Sequence, residues 1–224
     1  MLFRSRAWCQ SLLHRPATSA RSKPCERCGG RATVFEYRAG PNDQGRERHF
    51  CDACARRTLW VPKTPSLGEV VPTSADAVVV PVEVERIIFS GADWQTLVLR
   101  EVGGLRRLPL SVGYVEATAV WWALKREPCP RPLTHQALVN TVTALGATIR
   151  RADVVARRGD TYFAQLRLDR DGTTSTIDMR PSDALLVALR ADVPFLFVEP
   201  LLAADSVSEP EPSEQSAAPG RRGR

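Results

Sequence analysis

No apolar run in the 224 residues approaches the ~20 that carry a helix across a bilayer, so a membrane span is not expected. Residues 1–24 lack acids altogether. They hold Arg4, Arg6, Arg15, Arg21 and Lys23, with Trp8, Leu12 and Leu13 interspersed. The long apolar core of a secretory signal is missing there too. An Arg- and Ser-rich leader of this kind resembles an organelle transit peptide; the alternatives are a disordered basic arm or a start codon set too early. The body lacks an excess of positive charge. The chain carries 31 basic and 25 acidic residues. Five bases belong to 1–24, and from Ser208 on three glutamates face three arginines, which leaves 23 basic against 22 acidic residues in 25–207. A polycation that holds nucleic acid by bulk charge is excluded, and any such contact has to come from local patches. What remains is a globular composition, 43% hydrophobic, of a length for one domain plus an appendage. It is read as a cytoplasmic chain.

The appendage shows first. Cys25-x-x-Cys28 and Cys51-x-x-Cys54 are separated by 22 residues. Each pair fits a tight knuckle turn, and two knuckles present four thiolates to one zinc. Gly29 and Gly30 permit the left-handed turns a knuckle needs. Between the pairs, two alternating stretches (32–37 and 47–50) flank Gly40-Pro41-Asn42-Asp43-Gln44-Gly45, a hairpin signal. A redox dithiol or two disulfides would need the same cysteines. Metal is favoured because so small a module has no core of its own. Four cysteines complete a structural site, and His49 is expected to pack on the ribbon. The segment resembles the ribbons that head activators of bacterial protein-arginine kinases, which leaves room for a protein partner.

Residues 61–77, with Pro62, Pro65, Gly68 and Pro72, read as a linker that separates the ribbon (25–60) from a second domain over 78–205. Strands are expected over 78–89, 94–102 and 105–112, then a helix from Tyr114 to Arg126. Glu116 lies on that helix among Val115, Ala119, Val120 and Ala123, either on a solvent stripe or in a site. Trp121 and Trp122 point about 100° apart, so one is expected in the core and the other in an interface of a homo-oligomer. Arg126 to Pro132 read as a proline-stiffened loop that carries Arg131. Thr134 is expected to cap a helix reaching Leu145, with His135 in its first turn, where the helix dipole disfavours a charged imidazole. Strands over 148–156, 162–168 and 173–178 follow. The stretch 206–224 is expected to be a disordered tail.

The chemistry gathers at Asp178-Met179-Arg180-Pro181-Ser182-Asp183-Ala184. Pro181 biases Arg180 to an extended conformation and suits the first turn of a helix, whose open amides Ser182 or Asp183 can cap. Ala184 to Leu189 are all apolar, as in a helix buried on most sides. Two carboxylates, a guanidinium and a hydroxyl thus crowd a strand-to-helix junction. They form either a capping network or an anion or metal site. A short strand over 194–198 after the helix implies a right-handed crossover and one parallel pairing in an otherwise antiparallel, mixed sheet, hence an α+β fold with about three helices.

Three blocks resemble the bifunctional nuclease family of bacteria and plants. They are the junction itself, Pro130-Arg131-Pro132-Leu133-Thr134-His135, and Leu108-Pro109-Leu110-Ser111-Val112-Gly113 followed by Glu116-Ala117. The resemblance covers about Val79 to Leu202. Ser111 replaces a usually large residue, the family's C-terminal coiled-coil module is missing, and a ribbon heads the domain instead. The resemblance implies hydrolysis of phosphodiester bonds in DNA and RNA. On it, Asp178 and Asp183, with Glu116, are assigned to a divalent ion such as Mg²⁺. Arg180 and Arg131 are assigned to phosphate, Ser182 and Thr134 to substrate, and His135 to proton transfer. No paired His-Lys-Asp arrangement of familiar nucleases occurs. The rival reading is a non-catalytic binding or regulatory module, favoured by the near-neutral body. A dimer that gathers Arg106, Arg107, Arg150, Arg151, Arg157 and Arg158 on one face would favour the enzyme.

Overall fold

The computed structural model describes residues 23–39, 45–59, 77–91, 93–126 and 131–208. Most of the basic arm, the linker, the tip of the ribbon hairpin, the loop 127–130 and the tail from 209 lie outside the described residues.

The alternating stretch after the linker becomes β3 (Val79–Phe89), and the sheet is built on its two edges. One edge pairs antiparallel with β4 (Trp94–Glu101), which pairs with β5 (Arg106–Gly113). The other edge is shared. Val79 to Pro81 take β9 (Phe195–Val198), and Arg86 to Phe89 take β1 (Val34–Arg38) of the ribbon. Beyond β9 come β6 (Thr148–Arg158), β7 (Thr161–Arg170) and β8 (Thr173–Met179) as an antiparallel meander. A short β10 (Val207–Ser208) closes the far side on β5. The β9–β6 ladder is parallel and the other ladders are antiparallel. The mixed, mainly antiparallel α+β architecture is therefore as the sequence implies.

Helices α2 (Tyr114–Lys125), α3 (Thr134–Ala144) and α4 (Pro181–Ala191) form one layer, with α4 in contact with both others and with β6, β7 and β9. Ala184 to Ala188 of α4 are all buried, because sheet and helices cover it on both sides. Two short helices were not anticipated: α1 (Asp52–Thr58) in the ribbon and α5 (Glu199–Asp205) after β9. Both are seven residues long, too short for a hydrophobic period to show. Cap positions also differ from expectation. Leu133, not Thr134, occupies the cap of α3, Arg180 that of α4, and neither makes a side-chain cap bond.

The ribbon is not the independent unit that the linker suggests. Its hairpin, β1 with β2 (Glu47–Phe50), continues the main sheet through β3. Phe35 and Tyr37 enter the main core, while Val34, Phe50 and Leu59 pack with Ile88 and Val98 on the other side. Trp121 of α2 meets Phe35 and Tyr37 edge-on, with centroids 6.4 Å apart in each case. It is thus spent on the ribbon, and the interface assigned to one of the two tryptophans falls to half-buried Trp122 or to neither. Burying rings of this size removes about 150–250 Å² each, worth several kcal/mol at ~25 cal/mol per Å². The Lys125–Glu47 ion pair at 2.9 Å across the same seam adds roughly 0–1 kcal/mol. The rings hold the ribbon.

Candidate functional site

Cys25, Cys28, Cys51 and Cys54 are free thiols whose sulfurs all lie within 4.8 Å of one another. Tetrahedral zinc at about 2.3 Å from each sulfur requires sulfurs about 3.8 Å apart. Cys28 Sγ and Cys51 Sγ are 3.7 Å apart, so the donor set fits a metal such as zinc. Burial alone would raise the Cys25 thiol, but backbone amides of Cys51, Arg27 and Cys28 outweigh it and bring the thiol down to about 6. Burial pushes Cys54 up to about 11, with hydrogen bonds to the other three sulfurs acting the same way. Four closely placed thiols cannot all ionise without a cation among them. His49 packs against Phe35, ring centroids 5.2 Å apart, and is 3% exposed. Burial holds its imidazole below the ordinary value.

The second cluster is assembled from three helices. Pro181 starts α4 and leaves Arg180 extended at φ −67°, ψ 145°, where the side chain can fold back over the first turn. Arg180 Nε donates to Asp183 Oδ2 at 2.7 Å and Nη2 to Oδ1 at 3.1 Å. Nη1 lies 3.1 Å from Glu116 Oε1, in the first turn of α2. His135 Nε2, in the first turn of α3, is 3.0 Å from Asp183 Oδ1. Burial would raise the Asp183 carboxyl, but Arg180 and then His135 outweigh it and hold it below the usual carboxylate range. Asp183 and, less strongly, Glu116 hold Arg180 more firmly protonated than a free guanidinium.

Arg180, Glu116 and Ser182 line a cavity of about 360 Å³ that runs between the β4–β5 end and the β6–β7 turn. Asp183 and His135 stand behind Arg180, outside that lining. Glu116, Arg180, Asp183 and His135 are therefore brought together, with Ser182 buried beside them. Asp178 is not among them. It is exposed in the edge strand β8, opposite Gln165 in the ladder, and its carboxylate makes no hydrogen bond or ion pair among the described residues. Alternation turns it away from Ile177 and Met179. Arg131 and Thr134 are exposed next to the loop outside the described residues. No acid joins Glu116 and Asp183 in a group close enough to hold an ion unaided, among the described residues. Arg180 occupies the space between them.

Three lining residues escape a reading of the sequence. Gly113 sits at the cap of α2, where an added Cβ would come within 2.4 Å of Glu116 Oε2; its place directly before the helix, at the end of a block that resembles the family, was the available signal. Tyr162 donates its hydroxyl to Asp205 Oδ2 at 2.8 Å. Trp94 opens β4 at 67% exposure. Of the arginines that a dimer would have to gather into one basic face, most are paired with acids within the chain. Arg106 pairs with Glu101 and Glu199, Arg107 with Glu85, Arg150 with Asp169, Arg151 with Asp153 and Arg157 with Asp205.

No helix among the described residues is long and apolar enough to cross a membrane. Comparison with known proteins places residues 97–210 in a match to the bifunctional nuclease domain. An uncharacterized protein of Mycobacterium tuberculosis is 36% identical over 121 residues, 54% of this chain and 72% of that protein. Bifunctional nuclease 2 of Oryza sativa subsp. japonica is 30% identical over 139 residues, 60% of this chain and 43% of its own length. Bifunctional nuclease 1 of Arabidopsis thaliana is 32% identical over 90 residues, 39% and 28% of the two chains. The matched span runs from inside β4 to just past β10 and so contains the whole Glu116–Arg180–Asp183–His135 cluster, and the chain belongs to the bifunctional nuclease domain family.

Proposed function

We propose that the chain hydrolyses phosphodiester bonds of DNA and RNA at the cavity walled by Glu116 and Arg180. The observation that carries this reading is the ion-pair chain from Glu116 through Arg180 to Asp183 and His135, with one exposed guanidinium, 66% solvent-accessible along its side chain, facing the open cavity. Arg180 has five N–H donors. Three are engaged by the two carboxylates, so two are left for phosphate oxygens. Ser182 and the first-turn amides of α4 add donors for the charge that builds on the phosphorus centre.

Hydrolysis needs a water whose proton is taken as its oxygen attacks phosphorus, and a proton returned to the departing sugar oxygen. Glu116 lines the cavity, which favours it as the acceptor of the water's proton, and a solvent water of the same open cavity returns a proton to the departing sugar oxygen. His135 is one shell further out and is assigned to holding Asp183, and through it Arg180, in place. With neutral His135 the four groups sum to one negative charge, which repels a phosphate. A divalent cation such as Mg²⁺, which Glu116 as the cavity-lining carboxylate would hold, would offset that repulsion. Arg131 and Thr134 extend the contact along the strand. Zinc in the ribbon, a homo-oligomer through Trp122 and a protein partner on the ribbon complete the reading.

The test is cleavage of single-stranded DNA and RNA by wild type, Glu116→Gln and Asp183→Asn, with Mg²⁺ and with chelator. Turnover is expected to fall about a hundredfold or more in both variants. Equal cleavage by all three proteins would return the cluster to a purely structural role. A second reading, a binding module without catalysis, draws on the internal pairing of the arginines named above. Absence of cleavage by purified wild type would favour it.

A further inference from the structure

Trp94 is the first residue of β4, and its ladder partner on β5 is Gly113, which has no side chain to cover the indole. At 67% exposed it is one of the largest apolar side chains left in water, and it meets no other ring among the described residues. An indole so placed loses the stabilisation that burial gives. Trp94 nevertheless lines the same cavity as Arg180 and Glu116. A flat apolar face therefore shares one concave site with a guanidinium that has donors to spare. The cavity, about 360 Å³, lies near the lower end of the roughly 300–1,000 Å³ typical of small-ligand sites. That suits one nucleotide and not a segment of duplex.

We propose that Trp94 stacks on an unpaired base next to the phosphate held by Arg180, so that the site takes single-stranded and not duplex nucleic acid. This rests on the nuclease reading and adds a specificity residue to it. Bases inside a double helix have both faces covered by their neighbours and cannot offer one to an indole. In an unpaired strand every base has a free face, so stacking selects for strandedness and not for sequence. The contact carries no charge, whereas the contact at Arg180 does, and salt therefore separates the two.

The test is fluorescence anisotropy of a labelled phosphorothioate oligonucleotide, single-stranded or annealed to its complement, over a salt series. Trp94→Ala is expected to weaken single-strand affinity about tenfold, with an unchanged salt slope and unchanged duplex binding. Trp94→Phe is expected to keep most of the affinity. Arg180→Ala is expected to weaken binding and to lower the salt slope by about one phosphate. Loss of affinity in Arg180→Ala but not in Trp94→Ala would overturn the stacking while leaving the nuclease reading intact. Wild type that binds neither form would overturn both. A lowered sedimentation coefficient of Trp94→Ala with unaltered oligonucleotide affinity would instead assign the indole to a contact between copies of the chain.

Discussion

The cysteine knuckles and the Arg180 cluster are both four-residue constellations, yet they differ in how they are held. The knuckles bring their donors from two short segments, in contact with their own backbone amides, and four thiols are as many as a tetrahedral ion takes. The cluster draws Glu116, His135, Arg180 and Asp183 from the starts of three helices, and its central guanidinium stays two-thirds exposed. A saturated coordination sphere can contribute a large part of a domain's stability. Exposed ion pairs contribute roughly 0–1 kcal/mol each. The difference separates a structural site from one with unused bonding capacity.

The comparison breaks most visibly at the knuckles. Cys51→Ser, or chelation of the wild type, is expected to remove the metal and lower the melting temperature of the whole chain, because β1 and Phe35 are built into the main sheet and core. The loss should be a large fraction of the roughly 5–15 kcal/mol that domains of this kind possess. Calorimetry with metal analysis checks it, and a main transition at the wild-type temperature would show the ribbon to be dispensable.

Trp121→Ala is expected to cost about 2 kcal/mol, below the 3–5 typical of fully buried aromatics because the indole is only partly buried. It should expose the hairpin to protease while α4 stays protected; denaturant melts and limited proteolysis measure both. In the cluster, Gly113→Ala should leave the melt within about 1 kcal/mol of wild type yet lower turnover roughly tenfold, since the added methyl displaces the Glu116 carboxylate from Arg180. Cleavage and melting of the same preparation would separate the two effects.

The smallest effect is on pH. Asp183 is held below the ordinary carboxylate range. Its contribution to stability is therefore fully present above its unfolded value near ~4 and is lost as pH falls through the lower folded value. Acid melts of Asp183→Asn should be flatter than those of wild type across that window. Superimposable acid melts would mean that Asp183 gains nothing from its partners.

How much was legible follows the same division. The knuckles could be read because zinc needs two ligands within one turn, a constraint that appears as spacing. The longer strands and helices from Val79 onward followed from alternation and apolar runs, whereas the seven-residue α5 did not. The docking of β1 on β3 could not be read, because the pairing spans a linker and leaves no local periodicity. Within the cluster the residue types were visible, but not which of them face one another. Asp178 was grouped with its near neighbours in sequence, and the strand's alternation turns it aside. Gly113 and Trp94 carry no reactive group and show their part only once a cavity is closed around them.

The shared edge of β3 also bears on the order in which the chain can assemble during synthesis. Val79 to Pro81 wait for residues 196 to 198, and β6 waits for the same strand on its other side. Until β9 has left the ribosome, two finished strand edges stand open, each able to pair with the edge of another nascent chain. A product that ends before Phe195 should accumulate as aggregate even though every helix of the site has already been made.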